Sequence, residues 1–329
     1  MKVALVNRRF TTQGGTERFM VGLARSLRES GHMVHIHSNE VRADLRDEPG
    51  LTFHRLGLLR PAKNASLWWN SAGIEADAVM AFGRCRGHDV LRAGGGAHAA
   101  WQQVCRPAWG LDPSEWVERV VDRDTALKAK VVITPSQKAG DDLVRCYGLA
   151  SERLRVIHNG VDSARFLPGP GGEGLVFLGS GFARKGLAVA IEVASRLRRP
   201  LTVLGSDGGL SGWQNRHPEV RFVGAVPDPE KWLGRFDALL LPTHYEPFGN
   251  VCLEAMACGT PAITTSVNGV SEVLPPEFIA DGVEATMVAT EGVLAGGTPQ
   301  RARCRELAVA MPRSKAYQAV EGVLLQERR

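Results

Sequence analysis

Short apolar segments alternate with helix-like segments along the chain, and this alternation restricts the fold more than any other feature. Apolar segments of this kind are residues 3–6 and Val131–Thr134 in the first half, and Leu175–Leu178 and Ala238–Leu241 in the second. Between them, stretches such as residues 16–30 place apolar side chains at helical spacing. Chains with this alternation build βαβ units around a parallel sheet. The sequence therefore predicts an α/β fold.

A glycine- and proline-rich patch, LPGPGG at residues 167–172, separates two runs of this alternation. We interpret it as a linker. The prediction is two Rossmann-like domains facing a cleft, one over residues 1–167 and the other over residues 168–312. Residues 313–329 are predicted to form a helix that packs back toward the first domain. Ligands of such sheets bind at the carboxyl ends of the strands.

The charge of the chain is unevenly distributed. Residues 1–167 hold 24 Lys/Arg against 18 Asp/Glu, and residues 168–329 hold 16 against 17. A basic half favours an anionic partner such as a phosphorylated glycan, a membrane surface or nucleic acid, although a solvated Arg-rich surface explains it equally well. Five of the seven tryptophans, at positions 68, 69, 101, 109 and 116, lie in the same half. Trp favours membrane interfaces, so membrane docking and a tryptophan-containing core are the alternatives.

Cysteine usage and hydropathy indicate the compartment. The six cysteines include no Cys-x-x-Cys pair, which favours reduced thiols over a disulfide framework or a zinc site. No run of about 18 apolar residues is present, so we expect no membrane-spanning helix. The expectation is a cytoplasmic protein that at most docks peripherally on the inner membrane face.

The strongest motif is PTHYEPFGNVCLEAMACGTP at residues 242–261. A buried-looking strand leads through a loop into a helix that opens near Gly249, and a helix N-terminus suits a diphosphate because it offers N–H groups and partial positive charge. Glu246, just before this helix, can accept hydrogen bonds from sugar hydroxyls. Glu254, inside the helix, would need partners such as ribose hydroxyls if it is buried. Alternatively, Glu254 lies on an exposed stripe and Glu246 is a first-turn charge favoured by the dipole.

Two other glycine turns follow predicted strands. The first, LGSGFARKG at residues 178–186, brings Arg184 and Lys185 to the start of a helix. The dipole disfavours cations there, and phosphate oxygens would explain their presence; solvated surface cations are the alternative. The second, QGGTE at residues 13–17, opens the first helix and suits a phosphate or a close substrate approach. It lacks the G-x-G-x-x-G spacing of a dinucleotide site.

Loop residues after the strand predicted at 78–82 are candidates for the acceptor side. His88, Asp89 and His98 can each position an acceptor hydroxyl, and each can instead be structural.

Together these motifs resemble glycosyltransferase family 4, a large family of retaining enzymes with two Rossmann-like domains. The likeness covers nearly the whole chain and is carried by GGxE at residues 14–17, GxxxxRKG at residues 179–186 and Glu246-x7-Glu254. Within the family, the FARKG loop, the segment from Phe82 to His88 and the basic first half are similar to lipopolysaccharide core glucosyltransferases.

The resemblance implies that residues 1–167 bind the acceptor and that residues 168–312 bind a nucleotide sugar. It also implies a role for each matched residue. Arg184 and Lys185 would hold the donor diphosphate, and Glu254 the nucleotide ribose. Glu246 would hold the transferred sugar together with the backbone of Phe248, Gly249, Asn250 and Val251. Gly15 would face the diphosphate across the cleft. Catalysis is thereby assigned to Arg184, Lys185 and Glu246.

The predicted function is retaining transfer of a hexose, with UDP-glucose as the first candidate donor, to a glycan or glycolipid acceptor. Fixed cations and helix N–H groups stabilise a leaving diphosphate, so neither a metal nor a cofactor is expected. Alternatives are a nucleotide-sugar epimerase of the same fold and an inactive sugar-nucleotide-binding module. A nucleic-acid-binding protein lacks a supporting motif, and a dehydrogenase lacks its fingerprint.

Overall fold

The computed structural model describes residues 1–12, 14–57, 67–68, 70–105 and 113–329. The chain divides into two compact units. The first unit comprises Met1–His158 and Ser314–Arg329, and the second comprises Asn159–Arg313. Each is built on a parallel sheet with helices packed on it, which confirms the predicted α/β class with two Rossmann-like units.

The sheet of the first unit has seven parallel strands in the order β5-β3-β1-β6-β7-β8-β9, and β2 pairs separately with β4. The strands are β1 Lys2–Val6, β2 Arg9–Phe10, β3 Met33–Ser38, β4 Glu40–Val41, β5 Leu51–Arg55, β6 Ala78–Ala81, β7 Val90–Arg92, β8 Val131–Thr134 and β9 Leu154–Val156. The chain moves outward from β1 to β5 and then returns to the other side of β1. The strand order therefore reverses between β1 and β6, the position where ligands bind in sheets of this type.

The sheet of the second unit has five parallel strands in the order β12-β11-β10-β13-β14. They are β10 Leu175–Leu178, β11 Leu201–Leu204, β12 Arg221–Gly224, β13 Ala238–Leu241 and β14 Ala262–Thr264. Here the order reverses between β10 and β13. The loops that follow these two strands are the loops that carry Arg184, Lys185 and Glu246.

Helices cover the two sheets. They are α1 Gly15–Glu29, α2 His98–Cys105, α3 Pro113–Lys128, α4 Gln137–Tyr147, α5 Leu187–Arg196, α6 Leu210–Arg216, α7 Glu230–Leu233, α8 Asn250–Ala257, α9 Gly282–Ala295, α10 Gly297–Val309 and α11 Arg313–Gln326. The predicted N-cap of α4 is confirmed, since the Ser136 side chain accepts a hydrogen bond from the Ala139 N–H at 3.1 Å. The end of the chain packs on α1 in the first unit, where the Tyr317 and Phe19 rings meet edge to face at 5.0 Å.

The glycine- and proline-rich patch at residues 167–172 is not the boundary between the units. It lies inside the second unit, after the division between His158 and Asn159. Its backbone is hydrogen-bonded there: the Gly171 N–H donates to the Gly234 carbonyl at 2.9 Å, and Arg301 Nη2 donates to the Gly169 carbonyl at 2.9 Å. Local composition suggested a free linker, but long-range contacts fix the segment to the second unit.

Two expectations from the sequence concern membrane-spanning helices and the cysteines. Among the residues that the structure describes, no helix is long and apolar enough to cross a membrane. The six cysteines are all free, and four of them are buried.

Candidate functional site

The loop after β10 places two cations at the carboxyl edge of the second unit's sheet. Gly179 allows a close approach, because a Cβ there would lie 2.6 Å from Cδ of Lys185. The Lys185 side chain therefore runs directly over the glycine. Helix α5 begins only at Leu187, after Gly186 in the left-handed conformation. Arg184 and Lys185 thus precede the helix, which corrects the expectation that they stand at its start.

Both cations contact one oxygen of Glu246. Arg184 Nη1 lies 3.1 Å from Glu246 Oε2, and Lys185 Nζ lies 3.3 Å from the same atom. Arg184 Nη1 also donates to the carbonyl of Tyr245 at 2.6 Å. Burial alone would raise the pKa of Glu246, but Lys185 and Arg184 outweigh it and hold the pKa below its usual value. The carboxylate is therefore ionised at neutral pH.

The loop after β13 ends at Gly249, the residue before helix α8. Gly249 has φ of 65°, and a Cβ there would lie 2.5 Å from the amide nitrogen of Asn268. A glycine is thus required by the backbone conformation and by the packing. The carbonyl of Glu246 accepts a hydrogen bond from the Gly269 N–H at 2.9 Å, which ties this loop to the segment after β14. Glu246 and the start of α8 are consequently held together.

Glu254 is buried in α8, with 2% of its surface exposed. This excludes the alternative that it lies on an exposed stripe. Its Oε1 lies 3.7 Å from Nη2 of Arg313. In the same first turns of the helix, Asn250 accepts a hydrogen bond from Asn159 Nδ2 at 2.8 Å. Phe248 and Val251 are buried beside them.

A cavity of about 340 Å³ lies at the carboxyl ends of strands in the first unit. The lining residues are Asn7, Thr16, Glu17, Phe82, Gly83, Arg84, Leu91, Arg92, Ala93, Gly94, Gly95, Gly96, His98, Trp101, Asp122, Thr125, Ala126 and Leu143. They include the loops after β1 and β6, between which the strand order reverses. An aromatic ring together with charged and hydroxyl groups suits a polar, sugar-like molecule.

His98 is the acceptor-side candidate that lines this cavity. Its Nε2 donates to Glu115 Oε2 at 3.0 Å, and Gln102 Nε2 donates to the same oxygen at 2.8 Å. The backbone N–H of His98 donates to Asp122 Oδ2 at 3.0 Å. Its ring stacks on Trp101, with the centroids 5.3 Å apart. The side chain and the backbone of His98 are both fixed in place.

His88 and Asp89 do not line the cavity, and the expectation that they hold an acceptor is not supported. They lie just before β7, at its amino end, whereas the cavity is at its carboxyl end. His88 Nε2 donates to the Thr125 carbonyl at 3.1 Å, and burial lowers its pKa to about 4. Asp89 contacts Arg329 at 2.9 Å and Lys130 at 3.1 Å. Both residues have structural partners.

The QGGTE turn is described only in part, since Gln13 lies outside the described residues. Gly15 is the first residue of α1, after Gly14 with φ of 93°. Thr16 and Glu17 line the cavity of the first unit. Within the described residues, no three His, Cys, Asp or Glu side chains are grouped so that they could hold a metal ion.

Several lining residues were missed at the sequence level. Arg92, the last residue of β7, is buried against the Phe19 ring, with Cζ 3.7 Å from the ring centroid. Asp122 and Thr125 come from α3 and Trp101 from α2. Arg92 ends a strand, and the rule that ligands bind at the carboxyl ends of strands could have found it. The α3 residues give no local signal, because only the tertiary fold brings them to the cavity.

Two family models match the chain. A model described as "Glycosyltransferase Family 4" matches residues 13–165, and one described as "Glycosyl transferases group 1" matches residues 172–297. Together with the two Rossmann-like units, they define the protein as a glycosyltransferase of the two-domain type. The chain belongs to glycosyltransferase family 4.

Individual relatives agree with this assignment. Glycogen synthase of Mycobacterium tuberculosis is 34% identical over 196 residues, which cover 54% of this chain and 45% of that protein. The aligned region thus spans less than half of that relative. WaaG, a glycosyltransferase involved in lipopolysaccharide biosynthesis, has a crystal structure that superposes with a TM-score of 0.80, 18% identity and coverage of 98% and 99% of the two chains. The crystal structure of Anabaena HepE in complex with UDP-glucose superposes with a TM-score of 0.76 and 15% identity. The alignment covers 99% of this chain and 100% of that chain.

Proposed function

We propose that the protein transfers a hexose from a nucleotide-sugar donor to a glycan or glycolipid acceptor with retention of configuration. The observation that carries the proposal is the convergence of Arg184 and Lys185 on Glu246 beside the start of α8. This group lies at the carboxyl edge where the strand order of the second unit reverses. Two cations and a helix N-terminus suit the charge of a diphosphate.

The chemistry follows from the charge that develops during transfer. Cleavage of the bond between the sugar and the phosphate leaves negative charge on the diphosphate and positive charge on the sugar. Arg184 and Lys185 stabilise the negative charge on the diphosphate. The ionised carboxylate of Glu246 accepts hydrogen bonds from the sugar and lies close to its positive charge. Glu254 binds the ribose hydroxyls. Neither a metal nor a cofactor is required in this scheme.

We assign acceptor binding to the first unit, with His98 as the side chain that meets the acceptor. Glu115 holds the Nε2–H of His98, which leaves Nδ1 able to accept a hydrogen bond from a hydroxyl. Trp101, stacked on His98, offers an aromatic face. A His98→Ala variant should raise KM for the acceptor more than KM for the donor.

UDP-glucose is the first candidate donor and a lipopolysaccharide core glycan the first candidate acceptor. The support is similarity alone: HepE was solved with UDP-glucose, and WaaG is involved in lipopolysaccharide biosynthesis. Thermal shift with a panel of nucleotide sugars tests the donor, since a ligand that binds the folded state raises Tm. A panel in which no nucleotide sugar raises Tm would contradict the proposal.

Dependence on the acceptor separates this proposal from its rivals. A transferase releases nucleoside diphosphate in step with glycosylated product, and both require the acceptor. An epimerase would convert the donor without an acceptor, and an inactive binding module would raise Tm without turnover. Intact Arg184, Lys185, Glu246 and Glu254 favour the transferase.

We also propose that the enzyme is cytoplasmic and docks on the inner membrane face. One surface feature favours this location. Helix α3 exposes Trp116 (63%) together with Val117 and Val120. Trp is favoured at membrane interfaces, and Lys and Arg are attracted to anionic lipid. Trp68 instead donates to Asp124, and Trp101 lies in the cavity. Trp69 and Trp109 lie outside the described residues.

A further inference from the structure

Asp207 joins two neighbouring loops of the second unit. It lies in the turn after β11, and its Oδ2 accepts a hydrogen bond from the backbone N–H of Phe182 at 2.8 Å. Its Oδ1 accepts one from the Gly208 N–H at 2.8 Å. Because β11 pairs with β10, the turns after these two strands are adjacent at the carboxyl edge. The carboxylate of one turn thus fixes the backbone of the other.

The backbone that Asp207 holds leads directly to the two cations. Phe182 begins the turn, and its buried ring packs edge to face on Phe177 at 6.0 Å and on Trp213 at 6.3 Å. The carbonyl of Phe182 accepts the Leu187 N–H at 3.0 Å, so the same residue also sets where α5 begins. Arg184 and Lys185 lie between Phe182 and Leu187, the two residues whose backbone these hydrogen bonds hold.

We infer that Asp207 is a positioning residue for Arg184 and Lys185. Both cations have long, flexible side chains, and a phosphate contact depends on where their backbone is held. Charge-assisted bonds from backbone N–H to carboxylate are among the stronger hydrogen bonds, so one side chain can hold this turn. The consequence for donor binding rests on the proposed function, whereas the effect on the loop does not.

Asp237 provides a matched control. Its Oδ1 accepts from the Gly172 N–H at 2.7 Å and its Oδ2 from the Gly174 N–H at 3.1 Å. It therefore makes the same kind of double contact with backbone in the same unit. Asp237 precedes β13 and so lies at the amino edge of the sheet, whereas Asp207 follows β11 at the carboxyl edge. Asp237→Ala removes equivalent bonds without touching the loop that carries the cations.

Amide hydrogen exchange of the free protein tests the positioning directly. Asp207→Ala should speed exchange in residues 182–187, and Asp207→Asn, which keeps one acceptor oxygen, should have an intermediate effect. Asp237→Ala should leave these amides unchanged. Unchanged protection of residues 182–187 in Asp207→Ala would overturn the inference, whether or not the protein binds a nucleotide.

Calorimetric titration with UDP, ADP and GDP then tests the consequence for the site. Asp207→Ala should weaken binding of the preferred diphosphate by about tenfold, because a displaced cation loses its alignment. In a background that carries both Arg184→Ala and Lys185→Ala, the same change should cost less than about twofold, since residues that act together are not additive. Equal weakening in both backgrounds would show that Asp207 acts independently and would contradict the inference. Failure of all three nucleotides to bind the unmodified protein would count against the proposed function. The hydrogen-exchange result would still decide whether Asp207 holds the loop that carries Arg184 and Lys185.

Discussion

Arg184 Nη1 lies 3.1 Å from Oε2 of Glu246. The cation assigned to the donor diphosphate is thus in contact with the carboxylate assigned to the transferred sugar. A diphosphate that draws the guanidinium toward itself leaves more of the carboxylate available to sugar hydroxyls. We therefore expect the two ends of the donor to be recognised together rather than independently.

Arg184→Ala should lower the transfer rate by on the order of 10²–10³, because a fixed electrostatic contact to the leaving diphosphate is lost. Circular dichroism should show a folded protein, since Lys185 still pairs with Glu246 when Arg184 is removed. Arg235→Ala is a suitable control, because Arg235 pairs with Glu173 at 2.7 Å and is placed in no site. Unmodified turnover in Arg184→Ala would refute the assignment.

Glu254→Gln should raise KM for the donor while the protein remains folded. The amide keeps the shape of the buried side chain but loses the charge that faces Arg313. Glu254→Ala should impair transfer further and also lower Tm, because it removes buried side-chain atoms as well as the charge. Donor titrations of both variants check this. Wild-type KM and kcat in both would show that Glu254 does not bind the donor.

For the second unit's candidate site, the sequence predicted the local placement of three residues, because they are close together in the chain. Glu246, Gly249 and Glu254 belong to one strand-loop-helix segment, so strand and helix rules place them together. Asp207 gives no such signal, since its role depends on β11 pairing with β10. The structure divides the chain between His158 and Asn159 rather than after residue 167, for a related reason. Residues 167–172 have the composition of a linker, and only contacts with distant residues such as Gly234 and Arg301 show otherwise.

Activity should survive an excess of a strong chelator. Arg184, Lys185 and the N-terminus of α8 already provide positive charge for the diphosphate. Initial rates with and without EDTA, each after exhaustive dialysis, test this. Loss of turnover that magnesium or manganese restores would mean that the diphosphate depends on a metal ion.

The stability of the protein should fall between pH 6.5 and about 4 in a way that depends on His88. Burial lowers the pKa of His88 from 6.5 to about 4, so the unfolded chain takes up a proton in this range and the folded protein does not. The free energy of unfolding keeps its full value above pH 6.5. It falls as the pH is lowered to about 4, and the loss due to His88 is at most about 3 kcal/mol.

The measurement is Tm as a function of pH for the unmodified protein and for His88→Asn. The variant should show a shallower decline across this range, even if it is less stable at pH 7. Parallel curves would show that another group, such as His37, whose pKa burial also lowers to about 4, accounts for the acid sensitivity.

The protein should co-sediment with vesicles that contain anionic phospholipid but not with neutral vesicles, and added salt should weaken the binding. Trp116→Ala should reduce the bound fraction, because the indole is 63% exposed and free to enter an interface. Trp213→Phe, in the second unit, is the control. Absence from both pellets at low salt would leave an enzyme that meets its acceptor in solution.

The path of the chain has a consequence for folding during synthesis. Tyr317, Val320 and Leu324 belong to the apolar core of the first unit, yet they are translated after the whole of the second unit. The ends of the second unit are paired with each other, since the Val161 N–H donates to the Met311 carbonyl at 2.9 Å. The first unit therefore cannot complete its apolar core until α11 has been made, although Met1–His158 is synthesised before the second unit. Until then, the apolar surface that α11 will cover depends on protection from aggregation.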